Sequence, residues 1–508
     1  MELSFGSFRT HMQGFIAAGK PVRNVVWNLL GGGWIGVCII LATPRYLALL
    51  GMEGYSLVGL WLMMQVMMGI LDLGMGATLV REFADGSGGQ GRDVFRRDLL
   101  RTLETVYWTV GAFVAVCLAL ASHGVAVHWL KANTMSHYQI TTVIMLMALT
   151  LGLQFPCTLY SNGLGGLQDH RLMNLLQMIG NALRYGGGVA ILSWRPDPVV
   201  FFCLQAVVAG FQTLLTRQIL RAKISGGPAS CPTFKIVHLQ RLWRFSAGMA
   251  LTALSGLMVG NVDRIALSKL VSTVELGKYA VAFTATGLVQ MGIQPFYRAY
   301  FPRFAELISQ GDPRRLREEY FRGCRLMATV IIPLGIVGWV FAFQIFKAWL
   351  GKTDPTIIWA FRWLLLGITC AGLMWLPAAF QQAHGWTRLH VAMMTGALLV
   401  GTPLMLWTIR VFGSPGAALV WVLHGVSDLT LGLWLMHRRL LLRDYLPWFL
   451  HVILPPLVLS VLVVGISWWA MPTGLGRWAC LGWFCATGLT IVVATLSLNL
   501  GRYYDFHQ

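Results

Sequence analysis

Residues 173–194, with the sequence MNLLQMIGNALRYGGGVAILSW, decide the fold of the chain. As a helix rising 1.5 Å per residue, this stretch is long enough to cross a hydrocarbon core of about 30 Å. Asn174, Gln177, Asn181 and Arg184 recur at steps of three, four and three, so they share one helical face. A charge in mid-membrane costs about 2.5–3.5 kcal/mol on insertion scales. The stretch therefore predicts a membrane helix whose polar face lines a hydrated, cationic cavity.

The composition of the whole chain indicates an integral membrane protein. Hydrophobic residues make up 56% and charged residues 12%, the mean hydropathy is +0.64, and soluble domains carry about 25% charged residues. Fourteen stretches are long and apolar enough to span a bilayer, so the predicted fold class is an all-α polytopic membrane protein. The predicted spans are 24–44, 55–80, 99–121, 139–163, 173–194, 199–220, 245–268, 277–302, 323–347, 357–383, 390–410, 416–436, 447–470 and 476–499.

The net charge of +19 is distributed as in a membrane protein, which argues against nucleic-acid binding. With the N-terminus in the cytoplasm, 26 of the 39 Lys and Arg residues fall on the inner side and nine on the outer side. This bias follows the positive-inside rule and predicts that both termini are cytoplasmic. The first twenty residues contain no long apolar run, so no cleavable signal peptide is expected.

The order of the spans predicts two lobes, a linker and an appended pair of helices. The final two spans hold almost no buried polar residues and are interpreted as lipid-facing additions. The predicted segments are an N-lobe at 1–222, a cytoplasmic linker at 223–244, a C-lobe at 245–437, and spans 13 and 14 with a short tail at 438–508.

Short matches between the two lobes indicate an internal repeat of about 220 residues and six spans. Gly54-Tyr55 corresponds to Gly277-Lys278-Tyr279, and Arg81 corresponds to Arg303. An even number of spans gives both copies the same orientation in the membrane. Transporters commonly hold substrate between such parallel repeats.

The second lobe carries its own polar stripe and several charged residues inside predicted spans. Thr286, Gln290, Gln294 and Arg298 recur at steps of four in span eight. Arginine binds an anionic group well through its rigid fork of donors, so Arg184 and Arg298 are the predicted anion ligands. The stripe residues Asn181, Gln177, Gln294 and Gln290 suit the hydroxyl groups of a polar ligand, although amides serve equally well as contacts between helices.

The other intramembrane charges each admit a structural and a functional interpretation. Arg264 follows Asp263 directly, so an ion pair is as plausible as a substrate contact, and Arg362 can reach outward to the interface. Glu104 in span three can pair with Arg97 or Arg101. Buried carboxylates can carry a proton or a cation, and the candidate coupling residues are Asp72, Asp263, Asp428 and His424.

Two groups of residues resemble a known family of transporters. The groups are Gly54-Tyr55 with Leu71-Asp72-Leu73-Gly74-Met75-Gly76 and Val80-Arg81-Glu82, and Asp263-Arg264 with Glu275-Leu276-Gly277-Lys278-Tyr279. Over roughly residues 20–440 the chain resembles polysaccharide flippases of the O-antigen (Wzx) type. Their superfamily also contains lipid II flippases and multidrug extruders of the MATE class. The resemblance implies two six-helix bundles that form a V around a central cavity, to which this chain adds two C-terminal helices.

The resemblance also implies the function. Such proteins move a polyprenyl-pyrophosphate-linked oligosaccharide across the cytoplasmic membrane for surface polysaccharide biosynthesis, by alternating access. The expected partners are this substrate, membrane lipids, and a polysaccharide polymerase or glycosyltransferases. The sequence shows no nucleotide loop, metal-ligand cluster or nucleophile motif, so neither enzymatic activity nor a cofactor is expected. A cation-coupled multidrug antiporter, a lipid II flippase and a non-transporting scaffold are the alternatives.

Overall fold

The computed structural model describes residues 20–72, 74–84, 90–224, 233, 256, 258–386, 388–441, 444–472 and 474–505, and helices form the regular structure of these ranges. The chain divides into two compact units, residues 1–257 and 258–508. Most of the predicted linker 223–244 and the first part of span seven lie outside the described residues, so the predicted lobe boundaries remain predictions.

In the part of the first unit that the structure describes, six long or medium helices surround a buried apolar centre. They are α1 (Lys20–Met68), α2 (Met75–Ala84), α3 (Gln90–Gly124), α4 (His137–Gly166), α5 (His170–Trp194) and α6 (Pro198–Ile224). Leu79, Leu103, Leu159 and Leu164 are fully buried where α2, α3 and α4 meet. Gly111 and Gly152 let α3 and α4 approach closely, because a Cβ on Gly111 would lie 2.8 Å from the Gly152 carbonyl oxygen. Small residues at such crossings are typical of membrane helix packing.

The second unit has more and shorter helices. They are α7 (Val262–Leu270), α8 (Thr273–Gln310), α9 (Pro313–Val340), α10 (Ala342–Leu350), α11 (Pro355–Leu373), α12 (Trp375–Ala383), α13 (Arg388–Gly396), α14 (Thr402–Phe412), α15 (Ser414–Ser427), α16 (Leu433–Leu440), α17 (Tyr445–Trp448), α18 (Leu454–Trp469) and α19 (Arg477–Asp505). Gly367 of α11 and Gly425 of α15 permit a close crossing, since a Cβ on Gly425 would lie 2.4 Å from the Gly367 oxygen.

Among the described residues, ten helical segments are long and apolar enough to cross a membrane. The prediction of an all-α polytopic membrane fold is confirmed, and the count of fourteen spans is compatible with these ten for three reasons. Predicted spans one and two run together in α1, span seven is only partly described, and the striped helices α5 and α8 are long but less apolar.

The first two predicted spans are joined by a break at one residue. The sequence predicts a loop from Pro44 to Gly54, but α1 stays helical there except at Gly51, where φ is 70° and ψ is −179°. Only glycine adopts this conformation readily. The second span breaks again in a single 3₁₀ turn, Gly69–Asp72, followed by Gly74 with φ of 77°.

The last two spans pack onto α9 through an apolar cluster formed by Val337, Phe341, Val464, Phe484 and Ile491. The expectation that these spans hold almost no buried polar residues is wrong in detail. The Ser467 and Thr487 hydroxyls are buried and lie 2.7 Å apart. Serine and threonine side chains are small and uncharged, so a sequence pattern of charged and amide residues does not reveal them.

Candidate functional site

Arg184 lies in the middle of α5 and is enclosed by amide side chains. One terminal nitrogen donates to Gln154 Oε1 at 2.7 Å and the other to Gln212 Oε1 at 3.1 Å. Gln65 Nε2 donates to the same Gln154 oxygen at 2.7 Å. We call Gln65, Gln154 and Gln212 the amide cage of Arg184; it joins α1, α4 and α6 to α5.

The amide cage holds the guanidinium but does not neutralise it. Arg184 is 5% exposed, and no carboxylate of the described residues lies within ion-pair distance of it. Its Nε is buried without a hydrogen-bond partner. Buried charges are normally paired, so the site retains a positive charge and an unused donor. Those are the properties required to hold an anion.

The backbone around Arg184 is fixed by two further side chains. Tyr46 donates its hydroxyl to the Tyr185 carbonyl at 3.0 Å, and Gln205 Nε2 donates to the Arg184 carbonyl at 3.2 Å. Gly188 makes room for Tyr46, because a Cβ there would lie 2.4 Å from the tyrosine oxygen. The position of Arg184 is therefore determined by packing from α1 and α6.

The rest of the α5 stripe differs in burial along its length. Asn174 is buried and donates to Asn28 Oδ1 at 2.7 Å, in a close approach that Gly31 permits. Gln177 and Asn181 are half-buried. The predicted stripe thus exists on one face of α5, with contact to α1 at one end and the amide cage at Arg184.

The stripe of the second unit is more open. Thr286 is buried, whereas Gln290, Gln294 and Arg298 are exposed on α8. Nearby, Tyr297 donates to Gln382 Oε1 at 2.7 Å, which ties this part of α8 to α12. Arg298 is therefore exposed on α8, whereas Arg184 is buried among its amides.

Asp263 and Arg264 form a buried connection between helices. Asp263 is 0% exposed and accepts from Tyr279 at 2.5 Å, from Trp421 Nε1 at 2.9 Å and from the Arg264 amide at 2.7 Å. Arg264 donates to Asn261 Oδ1 at 2.7 Å and lies 4.1 Å above the Phe283 ring. These contacts favour the structural interpretation of the pair, which links α7, α8 and α15.

Arg362 has a similar local role. Its Nε donates to the Trp339 carbonyl at 3.0 Å, and its guanidinium lies 5.3 Å from the Trp359 ring centre. This aromatic setting is typical of an arginine near a membrane interface.

Asp72 lies at the break in the second span. Tyr107 donates a hydrogen bond to one carboxylate oxygen, and the Gly76 amide donates to the other at 3.3 Å. A Cβ on Gly76 would collide with the Asn162 amide, so only glycine fits here. Discontinuous membrane helices expose backbone groups that bind ions in many transporters, and this geometry keeps Asp72 as a candidate coupling residue.

Asp428 and His424 lie together as the helical spacing predicts. His424 Nε2 is 3.6 Å from Asp428 Oδ2, and both side chains are 12% exposed. Asp428 begins a π-helical turn, Asp428–Gly432, and such turns are frequent at functional sites. The structure adds His390 of α13, which interacts electrostatically with Asp428. Sequence reasoning missed His390 because nothing in its spacing connects it to a residue 38 positions away.

A cavity of about 420 Å³ opens beside His424 in the second unit. Apart from His424 and Ser427 its wall is mainly apolar, with contributions from Val262, Met393 and Leu404. A second π-helical turn, Ala397–Gly401, borders the same cavity. This part of the unit thus combines titratable groups, irregular backbone and open space.

Comparison with known proteins agrees with this architecture. The family model described as "Polysaccharide biosynthesis protein" matches residues 22–308, and the MatE model matches residues 249–407. A putative O-antigen transporter of Shigella flexneri is 25% identical over 82% of this chain and 98% of its own length. The teichuronic acid biosynthesis protein TuaB of Bacillus subtilis (strain 168) is 23% identical over 52% of this chain and 50% of its own.

Solved structures share the fold at low sequence identity. The lipid II flippase MurJ, in an inward closed conformation, has a TM-score of 0.67 at 12% identity and covers 96% of this chain and 100% of its own. An inward-facing multidrug resistance MATE family transporter of the MOP superfamily has a TM-score of 0.57 at 16% identity, covering 80% of this chain and 94% of its own. Since the first family model spans more than half of the chain, the chain belongs to the polysaccharide biosynthesis protein family.

Proposed function

We propose that this protein is a flippase that moves a lipid-linked oligosaccharide across the cytoplasmic membrane for surface polysaccharide biosynthesis. The observation that carries the proposal is the buried Arg184, which has amide partners and no carboxylate of the described residues within ion-pair distance. Similarity to a putative O-antigen transporter over 98% of that protein supports the same substrate class. The flippase and transporter fold of the solved relatives supports transport by alternating access.

The substrate is a polyprenyl diphosphate carrying a short glycan. Arg184 in the first unit and Arg298 in the second bind the diphosphate at different stages of transport. The amides Gln177, Asn181, Gln290 and Gln294 contact sugar hydroxyls. An inside-negative potential favours outward movement of each negative charge by about 2.3 kcal/mol per 100 mV.

Ion movement through the carboxylates adds to this driving force. Asp72 at its helix break and Asp428 beside His424 are the groups that would carry a proton or bind a cation. Asp263 is fully hydrogen-bonded and contributes to the site mainly by positioning α7 and α8. A polymerase and glycosyltransferases act as partners on the same lipid carrier. We place both termini in the cytoplasm, on the basis of the charge bias.

Substitution of the two arginines tests the proposal. Arg184→Ala and Arg298→Ala should each abolish surface polysaccharide in cells, while the protein remains in the membrane in normal amounts. Arg195→Ala is the matched control: Arg195 follows α5 directly, is 67% exposed and only approaches Asp197 at 3.9 Å. Normal surface polysaccharide in both test variants would overturn the proposed site.

A multidrug antiporter is the second candidate, because the MatE model matches residues 249–407 and the cavity beside His424 has a mainly apolar wall. It predicts that expression lowers the accumulation of a cationic dye in cells and that Asp428→Asn restores it. We expect no effect on dye accumulation, since the retained charge at Arg184 repels cations. The lipid II flippase structure shares the fold at 12% identity, and replacement of a lipid II flippase in depleted cells tests that alternative directly.

A further inference from the structure

Glu104 of α3 forms ion pairs with three arginines at one end of the first unit. Its side chain is 2% exposed. It accepts hydrogen bonds from Arg217 and Arg221 of α6, and Arg101 lies 3.5 Å away on its own helix. Of the two partners predicted for Glu104, Arg97 and Arg101, the structure shows the pair with Arg101, and the sequence did not predict the two arginines of α6. We call Arg101, Arg217 and Arg221 the arginine cluster.

The arginine cluster is held in place and still reaches solvent. Tyr160 donates to Glu104 Oε1 at 2.6 Å and in turn accepts from Trp108 Nε1 at 3.0 Å, so the carboxylate is anchored from α4. The side chains of Arg101, Arg217 and Arg221 are 46%, 29% and 41% exposed. Long side chains normally lose entropy on binding, and this fixation reduces that cost.

Arg101 and Arg217 carry more positive charge than Glu104 can balance, since two guanidiniums share one carboxylate. Each of these two guanidiniums has five donors, and a single buried carboxylate accepts from only some of them. The remaining donors suit an anion with several oxygens, such as a phosphate or diphosphate.

The surroundings indicate that this anion is carried by a lipid. Leu214 is two helical turns from Arg221 on the same face of α6 and is 48% exposed, and Phe211 is 55% exposed. On α3, Phe113 and Leu120 are 68% and 80% exposed. These apolar side chains are the surface that acyl or prenyl chains cover in a membrane. A phosphate bound by the cluster would therefore have its hydrocarbon chain beside α3 and α6.

We propose that the arginine cluster is the entry site for the diphosphate of the lipid-linked substrate, on the side of the membrane that the charge bias assigns to the cytoplasm. This inference rests on the proposed flippase function and adds a first station to it. A diphosphate diester has two charges and can bridge guanidiniums from two helices, whereas a phospholipid phosphodiester has one charge. The cluster, with arginines from both α3 and α6, fits the diphosphate.

The test measures lipid binding to the purified full-length protein in nanodiscs of neutral phosphatidylcholine. The probes are a polyprenyl diphosphate-linked sugar, the corresponding monophosphate-linked sugar and phosphatidylglycerol. Arg101→Gln/Arg217→Gln should weaken binding of the diphosphate at least tenfold, because two charge-assisted contacts are lost. Arg314→Gln is the matched control, since Arg314 is 86% exposed on α9 and should leave binding unchanged.

One further variant and one lipid comparison distinguish a binding role of the arginine cluster from a structural role. Glu104→Gln keeps all three arginines, so it should lower the melting temperature more than the double arginine variant and weaken diphosphate binding less. The reverse order would mean that the cluster only ties α3 to α6, and would overturn the entry site. Equal binding of phosphatidylglycerol and the polyprenyl diphosphate-linked sugar would likewise overturn it in favour of a phospholipid site.

Failure of the entry site is distinguishable from failure of the flippase function. If the unmodified protein binds the diphosphate and the double variant binds it equally well, the entry site is wrong and the function stands. If the unmodified protein binds no polyprenyl diphosphate-linked sugar and supports no surface polysaccharide, the function itself is wrong.

Discussion

At the scale of single residues, two intramembrane arginines of this chain show how partners decide what a buried charge can do. Arg264 approaches Asp263 at 3.9 Å, donates to a neighbouring asparagine and covers an aromatic ring. Among the described residues, the Arg184 guanidinium donates only to neutral side-chain amides. The charge of Arg264 is compensated by its neighbours, whereas the charge of Arg184 is not compensated and can interact with a ligand. This difference is the reason to place substrate binding at Arg184.

Replacement of Arg184 by lysine should reduce export almost as strongly as replacement by alanine. Lysine keeps the charge but cannot donate from one planar group to Gln154 and Gln212 together, and its ammonium is more strongly hydrated. We expect at least a tenfold loss of surface polysaccharide while the amount of the protein in the membrane stays normal. Immunoblots of the polysaccharide and of the protein measure the two quantities. Arg264→Lys, which keeps a cation near Asp263, serves as comparison and should retain most activity. If Arg184→Lys exports normally, charge alone matters and the amide cage has no role in binding.

Gly180 on α5 should be intolerant of a side chain. An added Cβ would lie 2.5 Å from the Gln212 amide group, so the amide cage would have to shift. Overpacking of this kind costs about 1–3 kcal/mol, and we expect Gly180→Ala to lower both the melting temperature in detergent and export. Gly186→Ala on the same helix meets nothing within 4 Å and is the control. Similar behaviour of the two variants would show that Gln212 adapts without cost.

At the scale of elements, two capping aspartates differ in whether they also connect their helix to another helix. Asp354 caps α11 by accepting from the Thr356 amide at 2.8 Å, and it also pairs with Lys278 of α8 at 2.8 Å. Asp312 caps α9 by accepting from the Arg315 amide at 3.0 Å, and its ion pair with Arg315 stays within the same helix. Asp354 therefore joins two helices, whereas Asp312 stabilises one.

Asp354→Ala should destabilise the protein by about 1–2 kcal/mol, since it loses a cap and a partly exposed ion pair. Asp354→Asn should cost less, because asparagine still caps a helix, and Asp312→Ala reports the cost of a cap alone. Burial by itself would raise the pKa of Asp354, but the hydrogen bonds from Lys278 and Thr356 and the charge of Lys278 together outweigh burial and hold the pKa below its usual value.

This lowered pKa makes the contribution of Asp354 dependent on pH. A carboxyl group with a folded-state pKa below the unfolded value of about 3.9 stabilises the fold fully above that value, and the stabilisation is lost as the pH falls through the folded-state pKa. The difference in melting temperature between the unmodified protein and Asp354→Asn should therefore be constant near pH 7 and shrink below about pH 4. A difference that grows on acidification would contradict the assigned ion pair.

The helices were predictable from the sequence, whereas their interruptions were not. Hydropathy and three-to-four spacing located the spans and both polar stripes, since these patterns are local. The break at Gly51 and the π-helical turn at Asp428 depend on packing between helices, which no local pattern records. The amide cage has the same origin: Gln154 and Gln212 are 30 and 28 residues from Arg184 in sequence. The sequence shows that the neighbouring spans contain amides, but which of them contact the arginine is a property of the tertiary structure.

At the scale of the whole molecule, the groups proposed to act in transport are distributed over both compact units. The first unit holds the uncompensated Arg184 and the arginine cluster, and the second holds the buried Asp428 with the half-buried His390 and His424. An anion moving outward is driven by the membrane potential, while a proton or cation moving inward can be coupled to it. Among the proposed residues, Arg184 and Asp428 lie in different units, so substitution of one of them should separate anion binding from ion coupling.

Proteoliposomes that contain a fluorescent polyprenyl diphosphate-linked sugar can separate the two contributions. A potassium diffusion potential should speed translocation toward the positive side, by about 2.3 kcal/mol per charge at 100 mV if all charge crosses the membrane. Asp428→Asn should keep this response and lose any acceleration by a proton or sodium gradient, because asparagine cannot ionise. Arg184→Ala should lose both responses, since the substrate no longer binds. If Asp428→Asn responds to ion gradients like the unmodified protein, the coupling ion does not use Asp428, and Asp72 at the helix break of the first unit becomes the residue to substitute.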